Sequence, residues 1–322
     1  MFDNNTTKKA FEKIKKANNI LLVTHYHPDG DALSSICAMM DIMEQYNIKY
    51  TAFCDNEAPA QFDFLPHVEK INTNKKSFNI NDFDIIITLD CGSLGRTKLS
   101  EEILGKNNNS IVIEFDHHPK IDDYADYEFK FTEAVATAEL IYRFAKINKI
   151  RITKNIANCI LTGILTDTGF FLYPSTTDKS VEIASEMLKY GAHFPQVIEN
   201  TWRNKSLLAM KVWGKAISNL RLNKKYNLAY SVLTYEDIQQ SGTSIEEIEG
   251  IAPFLSNMYG VKGILLLRED IKGVVRGNLR SNHPKTDISK LAEILGGGGH
   301  PKASGFMLKG SIKTSGETWK FE

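Results

Sequence analysis

The chain has 322 residues, of which 42% are hydrophobic and 24% are charged, and its 39 basic and 39 acidic side chains give a formal net charge of zero. This composition excludes wholesale disorder, and the length is sufficient for two domains. Proteins that hold long duplex nucleic acid usually carry a clear excess of positive charge, so the balance favours a small substrate held in a local pocket.

Neither the cysteines nor the apolar runs indicate an extracellular or membrane protein. Cys37, Cys54, Cys91 and Cys159 are scattered and form no C-x-x-C pair, which argues against a structural zinc site and a disulfide framework. Residues 1–19 lack the apolar core of a secretory signal. The longest apolar runs fall far short of the roughly 20 residues that a membrane helix needs. The sequence therefore predicts a cytoplasmic protein with no membrane partner.

In the first half of the chain, short apolar runs alternate with helical patterns. The predicted strands are 20–24, 49–54, 84–89 and 110–115, and the predicted helices are 31–46, 134–148 and 155–166. Apolar strands that alternate with helices are typical of an α/β fold, with a mostly parallel sheet flanked by helices. Ligands bind beyond the carboxyl ends of the strands in such sheets, and the acidic and histidine motifs of this chain follow those ends.

The second half predicts a smaller α/β unit. Residues 180–220 have a helical pattern that contains the connection between domains. Strands are then predicted at 228–233, 262–267 and 273–279, with helices around 237 and 245 and at 288–295. We therefore predict a first domain of residues 1–195, a helical linker of residues 196–222 and a second domain of residues 223–322.

The motif His25-Tyr-His27-Pro-Asp29-Gly-Asp31 lies in a predicted strand-to-helix turn. Hard divalent cations bind carboxylate oxygens with some imidazole nitrogen, so His25, Asp29 and Asp31 are candidate ligands. Gly30 is expected to permit an unusual backbone conformation in this turn. The alternative is a simple Asp-Gly turn in which Asp31 caps the following helix.

Three further motifs bear acids or histidines. Asp90 follows a predicted strand and, taken alone, is better explained as a turn residue. Asp116-His117-His118 ends the next strand, and adjacent histidines on an extended segment point to opposite faces, so one is expected to bind metal and the other to contact substrate or to support the metal ligands. Asp167 ends an apolar helix, where a carboxylate opposes the helix dipole and a nearby metal would offset that cost.

Together these motifs offer four carboxylates and two imidazoles, a set that suits two divalent ions sharing one carboxylate. The residues are His25, Asp29, Asp31, Asp90, His117 and Asp167. The chain therefore contains a candidate dinuclear metal site.

The motifs H-x-x-P-D-G-D, D-C-G-S, D-H-H-P and T-D-T-G, in this order, resemble the DHH phosphoesterase superfamily. The later run Gly-Gly-Gly-Gly-His, which ends at His300, resembles the signature of its DHHA1 subgroup. The resemblance covers nearly the whole chain, and size and domain content are most similar to the stand-alone nano-RNase and pAp phosphatase (NrnA-like) proteins. It implies a DHH catalytic domain followed by a DHHA1 substrate-binding domain.

The resemblance also implies an activity. Members of this group are metal-dependent hydrolases that degrade very short RNAs to mononucleotides, dephosphorylate 3′-phosphoadenosine 5′-phosphate (pAp), or cleave linear and cyclic dinucleotides. They use two divalent ions, with manganese preferred and magnesium the alternative, and they are often homodimers. The expected substrates are therefore short RNA oligonucleotides or small nucleotides, and not long duplex DNA.

Roles for individual residues follow only from the resemblance. His25 and Asp29 would hold the first metal, Asp90 would bridge, and the second metal would be held by Asp31, His117 and Asp167. The implied catalytic residues are His118, which would contact the scissile phosphate, and Asp116, which would orient the histidine pair. The implied substrate-binding residues are Arg280, Ser281, Gly297, Gly298, Gly299 and His300.

Several alternatives remain open at this point. A family II inorganic pyrophosphatase would share the metal ligands, but its pyrophosphate needs a dense basic pocket and not a base-recognition surface. A RecJ-like exonuclease would want a longer chain and an extended basic channel. Hydrolysis of linear or cyclic di-AMP is a further activity of the same class. A catalytically silent nucleotide- or RNA-binding module is the alternative of another class.

Overall fold

The computed structural model describes residues 3–315 and 318–322. The chain divides into two compact units, Met1–Arg203 and Asn204–Glu322, and each is described by itself. Among the described residues, no helix combines the length and the apolar character needed to cross a bilayer.

The first unit is built on a six-stranded sheet in which every neighbouring pair is parallel. Its strands are β1 (Ile20–Val23), β2 (Tyr50–Phe53), β3 (Ile71–Asn72), β4 (Ile85–Leu89), β5 (Ile111–Asp116) and β6 (Tyr127–Lys130). The accompanying helices are α1 (Asn4–Lys16), α2 (Gly30–Gln45), α3 (Ser100–Leu104), α4 (Thr137–Ile147), α5 (Lys154–Asp167), α6 (Asp178–Lys189) and α7 (Phe194–Thr201).

Successive residues of the central strands face two different apolar cores. Leu22 and Ile87 lie in the larger core, to which α2, α4 and α5 also contribute side chains. Leu21 and Ile86 lie in the smaller core on the other face of the sheet. Because side chains alternate along a strand, a strand buried on both faces must be apolar throughout. The predicted α/β fold with a parallel sheet between helices is confirmed.

The strand order β3-β2-β1-β4-β5-β6 reverses direction between β1 and β4. The chain first winds outward from β1 through β2 to β3, then crosses back to β4 and winds the other way. At such a reversal the connections leave the strand ends in opposite directions, which opens a crevice beyond the carboxyl ends of the two central strands. His25 follows β1 and Asp90 follows β4, so the topology places both beside this crevice.

The second unit contains a mixed six-stranded sheet of order β11-β12-β10-β9-β8-β7, in which only the β8–β9 pair is parallel among the described pairs. Its elements are α8 (Leu207–Ser218), β7 (Arg221–Asn223), β8 (Leu228–Leu233), α9 (Tyr235–Gln239), α10 (Ile251–Leu255), β9 (Gly263–Ile271), β10 (Val274–Arg280), α11 (Ser289–Ile294), β11 (Gly298–His300) and β12 (Ala303–Lys309). A separate hairpin, β13 (Ile312–Ser315) with β14 (Thr318–Phe321), follows.

The predicted strands and helices of the first half are all present, with small shifts of their ends, but the sequence patterns missed α1, β3, α3 and β6. The predicted helix around residue 245 is a single 3-10 turn, Glu246–Ile248. α1 has a polar composition and buries only one stripe, which includes Ala10, Phe11 and Ile14. A narrow stripe of this kind gives a weaker sequence signal than a wholly buried helix such as α2.

Candidate active site

The acidic and histidine residues of the first unit meet at the carboxyl edge of its sheet. His25 follows β1, Asp90 follows β4, and His117 follows β5, while Asp167 is the last residue of α5. Asp29 and Asp31 flank the first residue of α2. Elements far apart in the sequence therefore bring all six predicted metal ligands into neighbouring groups.

His25, Asp29 and Asp90 form the first group. The His25 Nε2 atom lies 3.8 Å from Asp29 Oδ2 and 3.9 Å from Asp90 Oδ2. Its other ring nitrogen, Nδ1, lies 2.9 Å from the carbonyl oxygen of Tyr26. A carbonyl only accepts, so Nδ1 is the donor in this contact, and Nε2 is the ring nitrogen that faces the two carboxylates.

This arrangement fits a metal ion. The Nε2 atom of His25 is buried and has no hydrogen-bond partner among the described residues. It faces one carboxylate oxygen of Asp29 and one of Asp90, both too far away for a hydrogen bond, and a buried polar atom without a partner is unfavourable unless an ion lies there. A backbone carbonyl that fixes the tautomer of a histidine is the usual support for an imidazole ligand.

Asp31, His117 and Asp167 form the second group, and Asp90 reaches both groups. The His117 Nε2 atom lies 3.2 Å from Asp167 Oδ2, 3.5 Å from Asp90 Oδ1 and 3.9 Å from Asp31 Oδ2. The two oxygens of Asp90 thus face different imidazoles, Oδ2 towards His25 and Oδ1 towards His117. Asp90 is placed as a shared carboxylate between the two groups.

Asp31, Asp90 and Asp167 crowd one another in a largely buried environment, whereas the Asp29 side chain is exposed. Burial, together with repulsion from Asp29, raises the pKa of Asp31 to about 7, even though Asp31 accepts backbone hydrogen bonds. Burial and the charges of Asp31 and Asp29 also raise the pKa of Asp90 and of Asp167 well above the ordinary value of an aspartate. Divalent cations would offset this repulsion, so the electrostatics of the donor set also fit a metal centre.

Thr137, at the start of α4, is a residue that the sequence analysis missed. Its backbone N–H donates to Asp31 Oδ2 at 2.5 Å, and the N–H of Ala138 donates to Asp31 Oδ1 at 2.9 Å. Its hydroxyl donates to Asp90 Oδ1 at 2.9 Å. The first N–H groups of a helix have no partner inside the helix and bind carboxylates well. The only signal in the sequence was the predicted start of a helix near Thr137. A helix start does not indicate that Thr137 contacts Asp31 and Asp90, which are distant in the chain.

The turn before α2 departs from the alternative of an Asp31 cap and from the expectation for Gly30. Asp29, and not Asp31, caps the helix, because Asp29 Oδ1 accepts from the N–H groups of Asp31 and Ala32, both at 3.1 Å. The expectation that Gly30 needs an unusual backbone is wrong, since it is the first helical residue and lies outside the left-handed region. Glycine is required there for space: a Cβ would lie 2.5 Å from the Oγ1 atom of Thr166.

The expectation that His117 and His118 point to opposite faces is also wrong. Their ring centroids are 4.5 Å apart, and both rings approach Asp90 Oδ1 to 3.5 Å. β5 ends at Asp116, and the Asp116 carboxylate accepts from the N–H of His118 at 2.8 Å. A bond of this kind folds an aspartate and the two following residues into a tight turn, so the alternation of an extended strand no longer applies.

Asp116 is itself fixed from several directions. It accepts from His118 Nδ1 at 2.8 Å and from the N–H of Gly92 at 2.6 Å, and the Nζ atom of Lys130 lies 3.4 Å away. Burial opposes ionisation of Asp116, but the hydrogen bond and charge of His118 and the charge of Lys130 outweigh it and lower the pKa of Asp116. Asp116 therefore stays charged and holds the His118 ring in one orientation.

We expect Lys130→Met to destabilise the protein strongly. Lys130 is 5% exposed and forms ion pairs with Glu114 at 2.8 Å and with Asp116 at 3.4 Å. Removing one partner of a buried pair leaves uncompensated charge, which costs about 3–5 kcal/mol. Urea unfolding monitored by circular dichroism would measure the loss. The double variant Lys130→Met/Glu114→Gln should recover part of it, and no recovery would contradict the assigned pairing.

His27 lies beside the site but outside both groups, where it is exposed and has φ of 54°. Its backbone N–H donates to Asn56 Oδ1 at 2.8 Å. Asparagine adopts positive φ more readily than most residues, so we expect His27→Asn to keep hydrolytic activity within about twofold of the parent. Steady-state kinetics across a manganese titration would check this. A large loss of metal affinity would instead make the His27 ring a ligand.

The predicted substrate-binding residues lie in the second unit, on adjacent strands. Arg280 and His300 both pair with Ala303, one from each side, so the three side chains share one face of the sheet. Ser281, in contrast, is 1% exposed, and its hydroxyl donates to the carbonyl of Lys262 at 2.6 Å. The structure thus brings Arg280 and His300 together at the surface but uses the Ser281 hydroxyl internally.

The glycine run is ordered by strand pairing. Gly298 and Gly299 belong to β11, which pairs with β12. A Cβ on Gly297 would lie 2.1 Å from the carbonyl oxygen of Gly305, whereas a Cβ on Gly298 would meet open space. Gly299 has φ of 136°, a conformation that side chains rarely allow. Gly297 and Gly299 are therefore required by the chain itself, and Gly298 is the position left open to a ligand.

A doubly wound parallel sheet with a buried cluster of aspartates and histidines at its reversal point defines a metal-dependent α/β enzyme. The DHH family, N-terminal domain, matches residues 19–164, and the DHHA1 domain matches residues 225–315. The chain belongs to the DHH/DHHA1 phosphoesterases, a metal-dependent family, and the resemblance predicted from the motifs is confirmed.

Similar proteins match along most of their length. The probable bifunctional oligoribonuclease and PAP phosphatase NrnA of Streptococcus mutans is 28% identical over 92% of each chain, and the Bacillus subtilis NrnA is 26% identical over 90% of each. An exopolyphosphatase-related protein from Bacteroides fragilis has 26% identity and a TM-score of 0.87, over 94% of this chain and 91% of its own. RecJ of Thermus thermophilus, at 14% identity and a TM-score of 0.56, shares the fold; the match covers 95% of this chain and 52% of RecJ.

Proposed function

We propose that this protein hydrolyses the phosphodiester bonds of very short RNAs to release mononucleotides, and that it also removes the 3′-phosphate of pAp. The observation that carries the proposal is the pair of ligand groups sharing Asp90 at the carboxyl edge of the sheet. Two relatives that match over at least 90% of both chains are named as bifunctional oligoribonuclease and PAP phosphatase, which supports the substrate class.

The proposed site binds two divalent ions, with manganese preferred and magnesium as the alternative, because both favour carboxylate and imidazole ligands. His25 and Asp29 would hold one ion, His117, Asp31 and Asp167 the other, and Asp90 would contact both. When bound, such ions polarise the phosphoryl group and stabilise the charge that develops on its oxygens.

His118 is the proposed proton donor to the departing ribose oxygen. Its Nδ1 atom contacts Asp116 at 2.8 Å, so Nε2 is the ring atom left for the substrate. The Asp116 carboxylate against Nδ1 fixes the orientation of the His118 ring, which a general acid needs in order to meet the departing oxygen. Asp116 would act only through His118.

The neutral net charge supports short substrates and argues against an extended contact with long nucleic acid. Arg280 and His300 are proposed to bind substrate, supported by their common face on the second sheet. A silent binding module is disfavoured, since every ligand position of the metal site carries a carboxylate or an imidazole. We propose that the protein works in the cytoplasm, where such RNA fragments arise.

The test is release of mononucleotides from a 5′-labelled RNA series, from dinucleotides to oligomers of about two dozen residues, in the presence of manganese. Parallel reactions would contain pAp, linear pApA and cyclic di-AMP. Fast cleavage of the shortest RNAs together with pAp is expected. Cleavage of cyclic di-AMP alone would replace the proposal with turnover of a cyclic dinucleotide, and no cleavage in any reaction would reject it.

Metal binding has its own prediction, which does not need a substrate. Manganese at about 100 times its dissociation constant should stabilise the protein by about 2.7 kcal/mol, because only the folded state brings the ligands together. Differential scanning calorimetry after chelation and after re-addition of the metal would measure the change. An unchanged melting temperature would contradict the proposed ion site.

A further inference from the structure

Arg96 lies beside the candidate active site, in the short turn Leu94–Thr97 that follows Asp90. Its side chain is half-buried, and its carbonyl oxygen accepts from the N–H of Tyr26 at 2.9 Å. That bond ties the turn to the loop between His25 and α2. The position of Arg96 is therefore fixed by the same chain segments that carry His25 and Asp90.

The guanidinium group points towards the site. A Cβ on Gly92 would lie 3.1 Å from Arg96 Nη1 and 3.6 Å from the His118 ring, so both groups border the same small space. A side chain on Gly92 would crowd both groups, and the residue has φ of 67°, so glycine is what allows Arg96 and His118 to lie this close to the backbone. The positive charge of Arg96 also interacts electrostatically with Asp29, one of the proposed metal ligands.

Among the described residues, the charge of Arg96 has no ion-pair partner. Its guanidinium makes no hydrogen bond and no ion pair with any residue that the structure describes. Lys98, in the same turn region, differs: its Nζ atom lies 4.0 Å from the ring centroid of Tyr26. A half-buried cation without a partner, beside a cluster of carboxylates and a histidine, is suited to an anionic ligand.

We propose that Arg96 binds the phosphate group that the active site hydrolyses. The guanidinium would contact the non-bridging oxygens of that phosphate. This inference rests on the proposed function and names a residue that contacts the reacting group. Guanidinium presents parallel N–H donors that match two phosphate oxygens, and it stays charged at any working pH. Arg96 would hold the phosphate next to His118, so that the departing oxygen and the proton donor meet.

The experiment compares Arg96→Met with the matched control Lys98→Met, since each removes one positive charge from the same region. Binding of inorganic phosphate to the manganese-loaded protein would be measured by calorimetry. We expect Arg96→Met to raise the dissociation constant about 10- to 100-fold, the range for a charge-assisted hydrogen bond. Lys98→Met should change the phosphate dissociation constant less than about threefold. Arg96→Lys should recover only part of the lost affinity, because lysine lacks the two parallel N–H donors of a guanidinium group.

Turnover of two substrates tests which phosphate is bound. Bis(p-nitrophenyl) phosphate carries a single phosphate and no base, so its kcat/KM should fall in Arg96→Met by a factor similar to that for a diribonucleotide. A loss confined to the diribonucleotide would overturn the proposal, because Arg96 would then contact another part of the substrate. Unchanged phosphate binding in Arg96→Met would also overturn it.

Two further outcomes distinguish phosphate binding by Arg96 from an effect on the metal site and from the proposed function. If Arg96→Met loses the manganese-induced rise in melting temperature, Arg96 acts on the metal site and the proposal is overturned. If the parent protein binds phosphate through Arg96 but cleaves no oligonucleotide, the proposed function fails while the assignment of Arg96 as a phosphate ligand stands. The proposed function and the assignment of Arg96 can therefore be rejected independently.

Discussion

Asp90→Asn is expected to lower the rate of phosphoester hydrolysis at least about 1,000-fold, or about 4 kcal/mol of transition-state stabilisation. The two oxygens of Asp90 face His25 and His117, one each, so this carboxylate belongs to both ligand groups. Asparagine keeps an oxygen that can accept from the Thr137 hydroxyl, but it loses the charge and the second oxygen. Initial rates on a dinucleotide at saturating manganese would measure the effect.

Stability measurements distinguish this loss from unfolding. Burial and the charges of neighbouring aspartates raise the pKa of Asp90, so its charged form is unfavourable in the metal-free protein. Metal-free Asp90→Asn should therefore melt at the parent temperature or above, while its response to manganese is weakened. Asp123→Asn is the matched control, since this side chain is 85% exposed and pairs only with Lys120 among the described residues. Parent-like activity in Asp90→Asn would contradict the shared-ligand assignment.

Gly163→Ala is expected to destabilise the first unit by about 1–3 kcal/mol, the usual cost of overpacking a core. Gly163 lies within α5, where α5 packs against α2 and α4. A Cβ there would lie 2.5 Å from Ala138 Cβ and 2.7 Å from Asp31 Oδ1. The added methyl group must push the Asp31 carboxylate out of place, so manganese affinity should fall with stability. Calorimetric melting with and without the metal would record both changes.

Gly214→Ala provides the control for Gly163→Ala. Gly214 lies inside α8 and is exposed, and a Cβ on it would meet no atom within 4 Å. Alanine should therefore raise stability by up to about 1 kcal/mol through its helix propensity alone. The same substitution in two helices is thus expected to have opposite signs. A gain of stability in Gly163→Ala would show that α2 and α5 separate easily, and would contradict the close packing at Asp31.

Asp90 and Gly163 differ in how clearly the sequence indicates their roles. Asp90 was a candidate ligand from its motif and from its place after an apolar strand. The sequence does not indicate a role for Gly163, because a single glycine in a helical pattern has no distinctive signature. Its importance depends on Asp31 and Ala138, which are distant in the chain, and only the folded structure brings these residues together.

The sequence by itself determined the α/β fold and the candidate ligands. Apolar runs such as 85–89 predict strands buried on both faces, and polar residues at their ends predict a site at the carboxyl edge. These inferences succeed because strand burial is a local property of composition. The resemblance of the motifs to the DHH phosphoesterases then identified the family.

The tertiary structure alone decided which groups meet and how they are oriented. The turn of Asp116 onto His118, the donors that Thr137 supplies to Asp31 and Asp90, and the placement of Arg96 and His118 beside Gly92 all depend on the folded structure. Periodicity reports which face of an element is apolar, but a hydrogen bond depends on where two elements cross. Such crossings are set by the packing of the whole unit, and no stretch of sequence encodes them locally.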